Sequence, residues 1–195
     1  LGGNLYDKYN ARNPVAAYLM RGFLQSFDQL TAKVPVGAAV EVGCGEGELI
    51  RRLALRGWQT TGFDVSPDVI AIAKERAARA GATTTFFSAD IHEVAVPPAD
   101  LLLCCEVLEH VEQPGDALDK LSKAAPFALF SVPREPVWRV LNMLRGAYWS
   151  DWGNTPGHIQ HWSATGFLDF LSSRYTVMEV RRPLPWTMAL CRSRA

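Results

Sequence analysis

Residues 40–49 read Val40-Glu41-Val42-Gly43-Cys44-Gly45-Glu46-Gly47-Glu48-Leu49, an acid followed by three alternating glycines. Glycines at this spacing let a backbone turn tightly and approach a bound ligand closely. A dinucleotide fingerprint requires Gly-x-Gly-x-x-Gly, and glutamate at position 48 breaks it. Glu46 and Glu48 also fall where a helix should begin. The helix dipole favours acids there, but they would repel a pyrophosphate. The loop therefore suits a ligand without phosphate, including a cationic one. Further on, Asp64 closes the segment Gly62-Phe63-Asp64, where a carboxylate can accept both hydroxyls of a ribose. Asp90 closes Ser88-Ala89-Asp90. An acid there can bond an adenine amino group, or it can simply cap the helix that follows.

A second constellation has metal-ligand chemistry. Cys104-Cys105 is followed by Glu106-Val107-Leu108-Glu109-His110-Val111. If this stretch is helical, Glu106, Glu109 and His110 stand on one face. Two carboxylates and an imidazole can hold a divalent cation. Gly157-His158-Ile159-Gln160-His161-Trp162 offers further imidazoles downstream. Without a metal, His158, His161 or His110 is a candidate general base. The plainer readings are an acid that caps a helix or touches a cofactor, and a surface histidine at 161.

The elements that must position these groups follow from caps and periodicity. Asn13-Pro14 opens a helix, with asparagine at the N-cap and proline first. Its apolar stripe of Val15, Leu19, Phe23, Phe27 and Leu30 runs to about Thr31. Strands are expected over 38–43, 59–64, 83–87, 100–105 and 127–132. Helices are expected over 46–56, 66–81, 107–111 (one short stretch) and 115–124. This alternation implies a parallel sheet wrapped by helices. The rhythm changes after Pro133: a helix over 137–148, a Gly/Pro/Asn-rich stretch over 153–157, a Ser163-capped helix to about Ser172, then strands over 175–181 and 186–191. Pro183 and Pro185 separate the last two, which predicts a hairpin at a sheet edge.

The whole chain has 195 residues, enough for one domain with a large core and too few for two full α/β domains. Apolar residues make up 48% and charged residues 21%, which excludes a disordered chain. Lysine and arginine count 20, as do aspartate and glutamate, which argues against non-specific electrostatic binding of nucleic acid. No apolar run is long enough to span a bilayer. Cys44, Cys104, Cys105 and Cys191 fit neither a disulfide framework nor a Cys-x-x-Cys zinc site, so reduced thiols in a cytoplasmic protein are expected. Leu1-Gly2-Gly3-Asn4 carries neither an initiator methionine nor a signal-peptide pattern, and targeting information can lie outside it.

With its glycine loop and strand-end acids, the chain resembles the class I S-adenosylmethionine-dependent methyltransferases, strongly over 38–132 and topologically beyond. The resemblance implies a single Rossmann-like α/β domain with seven strands, helices on both faces and a reversed last hairpin. It divides into an N-terminal helical cap (1–37), a cofactor-binding core (38–132), an insertion or lid (133–162) and a closing helix and hairpin (163–195). It also implies that Glu41, Gly43, Cys44, Gly45, Gly47, Asp64, Val65, Asp90, Ile91 and Glu106 hold S-adenosylmethionine. The Glu-x-x-Glu-His segment with a distant histidine is similar to two groups within that family. In the small-RNA 3′-terminal 2′-O-methyltransferases such residues bind a metal that clamps vicinal hydroxyls. Carried over, the ligands are Glu106, Glu109, His110 and His158, with Mg, Mn, Fe and Zn not distinguished. The ubiquinone-biosynthesis O-methyltransferases share Glu-x-x-Glu-His-Val and an apolar insertion after strand five.

Trp138, Val140, Leu141, Leu144, Tyr148, Trp149 and Trp152, punctuated by Arg139 and Arg145, form that insertion here and cannot all face a sheet. Either the helix packs its apolar side on the domain, or it covers an aromatic or lipid-linked acceptor or makes a peripheral membrane contact. Tyr6-Asp7-Lys8-Tyr9 is expected, by resemblance, to close over the cofactor. The leading expectation is O-methylation of a hydroxyl on a small aromatic or lipid-like acceptor, with metal assistance. The alternatives are RNA 3′-terminal 2′-O-methylation, N- or C-methylation of a small molecule, and a cofactor-binding protein without turnover. Four arginines at 181, 182, 192 and 194 give weak support for RNA, and the oligomeric state is left open.

Overall fold

A computed structural model describes residues 13–144, 146 and 148–195. The Tyr6–Tyr9 segment and Arg145 therefore lie outside the described residues. Helix α1 (Pro14–Thr31) begins where Asn13 Oδ1 accepts the N–H groups of Val15 and Ala16. Its Phe23, Phe27 and Leu30 are buried, whereas Val15 is left exposed one turn before the stripe meets the sheet.

Strands β1 (Ala38–Val42), β2 (Gln59–Asp64), β3 (Thr84–Ser88), β4 (Leu101–Cys105) and β5 (Phe127–Pro133) alternate with helices α2 (Glu48–Ala54), α3 (Pro67–Arg79) and α4 (Pro114–Leu121). After β5 come α5 (Val137–Leu144), α6 (Ala164–Ser172), β6 (Tyr175–Arg181) and β7 (Trp186–Ser193). The sheet order is β3-β2-β1-β4-β5-β7-β6, parallel from β3 through β5. Strand β7 enters antiparallel to both β5 and β6. The expected hairpin is present, with β6 rather than β7 at the sheet edge.

Buried strands packed on both faces must be apolar throughout, and β4 (Leu-Leu-Leu-Cys-Cys) is buried along its whole length. Alternate residues feed two cores. One gathers Phe23, Phe27, Leu103, Leu129 and Trp186 against α1 and α2. The other gathers Leu102, Phe130, Leu118, Phe167 and Tyr175 against α4 and α6. Among the described residues, no helix is long and apolar enough to cross a membrane.

Two element expectations are corrected. Residues 107–111 form only a short 3-10 turn over Leu108–His110, and Glu106 lies before it with φ +60°, outside any helical face shared with Glu109. Among the described residues the insertion helix covers Val137–Leu144, and a separate 3-10 turn spans Trp149–Asp151.

Candidate active site

Because β1 to β4 run parallel and adjacent, their carboxyl ends share one edge, the place where open α/β sheets bind ligands. At β1, Gly43 has φ +65°, and a Cβ there would meet Val107 Cγ2 at 2.5 Å. Gly45 has φ +51° with nothing within 4 Å of its Cβ position, so its turn leaves open space beside the backbone. Gly47 supplies the left-handed N-cap of α2. Buried Glu41 is turned inward: its Oε2 accepts the Ile50 N–H at 2.9 Å, tying the strand end to α2. Asp64 spans the loop from the other side. Its Oδ2 accepts the Gly45 N–H at 3.0 Å and its Oδ1 the Ser66 N–H at 3.1 Å. Each oxygen keeps a lone pair for a ligand hydroxyl.

Asp90 Oδ1 accepts the His92 N–H at 2.7 Å, and Lys120 Nζ donates to the Ile91 and His92 carbonyls, which fixes the loop after β3. Val65 is exposed and Ile91 half-buried beside these acids, giving an apolar surface for a base. The Cys44 thiol is buried and held far above the ordinary thiol range, first by burial and then by the charges of Glu41 and Asp64. The loop is thus a region of negative potential with an unreactive thiol.

The sequence overstates the acidity of this edge. Glu46 pairs with Arg76 at 2.8 Å. Glu48 pairs with Arg51 and, at 3.8 Å, with Arg52. Both acids are neutralised at the start of α2 and do not offer charge to a ligand.

Glu106 follows β4 with φ +60°, a conformation that costs a non-glycine residue energy and clusters at functional sites. Its Oε1 accepts from Ser131 Oγ at 3.0 Å, and its Oε2 from Trp186 Nε1 at 2.7 Å. Ser131 and Trp186 lie on β5 and β7. The sequence reading missed both; a lone serine within apolar β5 and a tryptophan at the start of β7 were the signals.

Glu109, His110 and His158 converge. Their ligand atoms lie within 4.8 Å of one another, with Glu109 2% and His158 8% exposed. Glu106 is not in this group, because its left-handed backbone sets it apart from the 3-10 turn and its two hydrogen bonds direct it elsewhere. The backbone explains the convergence: the Ile159 and Gln160 N–H groups both donate to the Glu109 carbonyl, at 2.9 and 3.0 Å. His110 Nδ1 lies 2.8 Å from the Gly157 carbonyl. A carbonyl only accepts, so Nδ1 carries the proton and the neutral ring keeps its lone pair on Nε2. The two imidazoles meet edge to face with centroids 4.8 Å apart. His161 stands apart, exposed, with Nδ1 3.7 Å from Glu135 Oε1.

Comparison with known proteins agrees with the fold. Residues 40–125 match the family described as "Methyltransferase domain". The ubiquinone biosynthesis O-methyltransferase of Methylococcus capsulatus is 29% identical over 164 residues, covering 75% of this chain and 68% of that protein. Other curated ubiquinone biosynthesis O-methyltransferases are matched over less than half of their length. Magnesium protoporphyrin IX methyltransferase from Synechocystis superposes with a TM-score of 0.74 at 19% identity, over 95% of this chain and 91% of that one. A small RNA methyltransferase superposes with a TM-score of 0.74 at 20% identity, over 90% of this chain but 26% of that one. Residues 40–125 thus carry a methyltransferase domain, the chain has the class I methyltransferase fold, and by sequence it is similar, at low to moderate identity, to the ubiquinone biosynthesis O-methyltransferases.

Proposed function

We propose that this domain moves a methyl group from S-adenosylmethionine to a hydroxyl oxygen of a small aromatic acceptor, with a divalent metal held by Glu109, His110 and His158. The convergence of those three groups from two distant segments carries the reading. A carboxylate and two imidazoles fit borderline metals such as zinc, iron or manganese better than a calcium-type oxygen cage. The sulfonium supplies an already activated methyl, and a bound ion would lower the acceptor hydroxyl's pKa and orient it.

The remaining work falls to the chain. Asp64 and Asp90 would hold the nucleoside, and the loop at Gly43 and Gly45 would admit the methionine part. Glu41 ties the end of β1 to α2 beside that loop. His158, buried beside His110, is placed to hold the acceptor's proton if the metal is absent. His161 has no such place, since it faces Glu135.

Exposed Leu144 (78%), Trp149 (66%) and Trp152 (77%) support an acceptor that is lipid-linked and met at a membrane surface. Sedimentation with phospholipid vesicles, with and without both tryptophans, tests that part.

Metal analysis of protein purified without chelator, followed by turnover after chelation and metal return, tests the whole proposal. Bound metal near one per chain and chelator-sensitive transfer to a catechol are expected. Full turnover in metal-free protein overturns the metal assignment and leaves His158 as base. Transfer only to RNA ends, with steep salt dependence, would favour the nucleic-acid reading instead.

A further inference from the structure

His158 does not belong to the cofactor-binding core. It is carried by the insertion, and a small polar network inside that insertion determines where its ring lies. The Trp138 ring stacks on the His158 ring, with centroids 5.8 Å apart and planes at 26°. The Trp138 Nε1–H donates to Thr155 Oγ1 at 2.8 Å. Asn142, 3% exposed and the buried residue of α5, donates from Nδ2 to the same Oγ1 at 3.2 Å and to the Gly153 carbonyl at 2.8 Å. The Thr155 carbonyl accepts the His158 N–H at 3.0 Å. Gly153 fits flat against α5: a Cβ there would lie 2.3 Å from the Arg139 carbonyl oxygen. Trp138 also tilts against Trp186, the residue that holds Glu106.

From this we infer that Thr155 is a positioning residue. Through one hydroxyl and one carbonyl it locks the Trp138 indole and the His158 backbone together, and so orients the imidazole toward Glu109 and His110. The physical reason is economy of partners. A threonine hydroxyl has two acceptor lone pairs, and here they take one N–H from each of two turns of α5. A buried asparagine in an otherwise apolar or exposed helix face costs free energy unless its amide is satisfied, and Thr155 and Gly153 satisfy it. A ligand held this way loses little rotamer freedom on binding, as partners behind metal-binding histidines generally ensure. The inference rests on the metal reading only for its consequence, not for the placement of His158.

The test separates the two. Thr155→Val keeps the shape and removes the acceptor; Thr155→Ser restores it. Asn142→Ala is the second route should Thr155→Val fail to fold. In metal-free protein, a tryptophan stacked on the His158 ring displaces its Cε1 proton NMR signal by ring current. That signal should move toward the position of an unstacked histidine in Thr155→Val and return in Thr155→Ser. Cobalt(II) titration, read by visible absorption, should weaken about tenfold or more in Thr155→Val and recover in Thr155→Ser. S-adenosylmethionine affinity should stay within about twofold, since the hydrogen bonds of Thr155 run within the insertion and none reaches the glycine loop. A His158 signal unchanged in folded Thr155→Val and Asn142→Ala overturns the inference. If the signal moves but wild-type protein binds no cobalt, the positioning role stands and the metal reading fails.

Discussion

The two halves of the site are built on different principles. On the cofactor side, groups are held by backbone. Glu41 takes an N–H of α2, Asp64 takes two loop N–H groups, and Asp90 takes one more. On the acceptor side, backbone bonds to the Glu109 carbonyl bring the segment in, but the His158 ring itself packs on Trp138, whose indole is held by the Thr155 side chain beside Asn142. Backbone anchoring survives most changes of neighbouring residues; side-chain anchoring does not. The first half is therefore robust to sequence drift, and the second can be retuned one residue at a time. A common cofactor with variable acceptors needs this division.

The comparison can be broken from either side. The largest effect is expected for His158→Ala: methyl transfer falls by about 10²–10⁴-fold while calorimetric S-adenosylmethionine affinity stays nearly constant. A comparable loss of affinity would mean the halves are not separate. Asp64→Ala should do the reverse, weakening cofactor binding by about 10–100-fold through the loss of hydrogen bonds to a charged group. Its melting temperature should also fall, because the Gly45 and Ser66 amides lose their acceptor.

Smaller effects concern the scaffold shared by both halves. All four cysteines are buried, and burial pushes the Cys191 thiol up to about 12. The other three are raised as well, with burial the main cause in each. Such thiols stay protonated in the folded state while unfolded thiols ionise from about pH 8.5. Above that pH the unfolded chain binds fewer protons, so stability is full below it and declines as pH rises. Urea midpoints between pH 7 and 10 should fall, and less so in Cys191→Ala. The buried Tyr175 hydroxyl has no hydrogen-bond partner among the described residues. Tyr175→Phe should leave stability unchanged or raise it by up to about 1 kcal/mol, measured by denaturation. Smallest of all, Trp149→Ser with Trp152→Ser should shift stability by no more than about 0.5 kcal/mol per site.

The cofactor half was legible because its signals are local. Asn13-Pro14, Ser66-Pro67 and the glycine spacing each determine a cap or turn within a few residues, and β2 and β6 run over 59–64 and 175–181 as their patterns indicate. The acceptor half was legible only in part. Spacing places Glu109 beside His110, and the resemblance selects His158 over His161; the fold brings those three together. Glu106 departs from the expected helical face because its left-handed backbone sets it outside the 3-10 turn and because Trp186 competes for its carboxylate. That competition comes from across the sheet and leaves no trace near residue 106. Likewise Glu46 and Glu48 read as pocket acids until arginines from α2 and α3 are seen beside them.

The bond between Trp186 and Glu106 also has a temporal meaning. Its partners are separated by 80 residues in the chain. At ribosomal speeds of about 5–20 residues per second, β4 emerges some 4–16 s before the strand that completes its end. Strands β1 to β4 and their glycine loop can pair during that interval. Glu106 cannot be fixed until β7 slides antiparallel between β5 and β6. A nascent chain can thus form its glycine loop early, yet the carboxylate at the end of β4 is not held in its final place until β7 is threaded between β5 and β6.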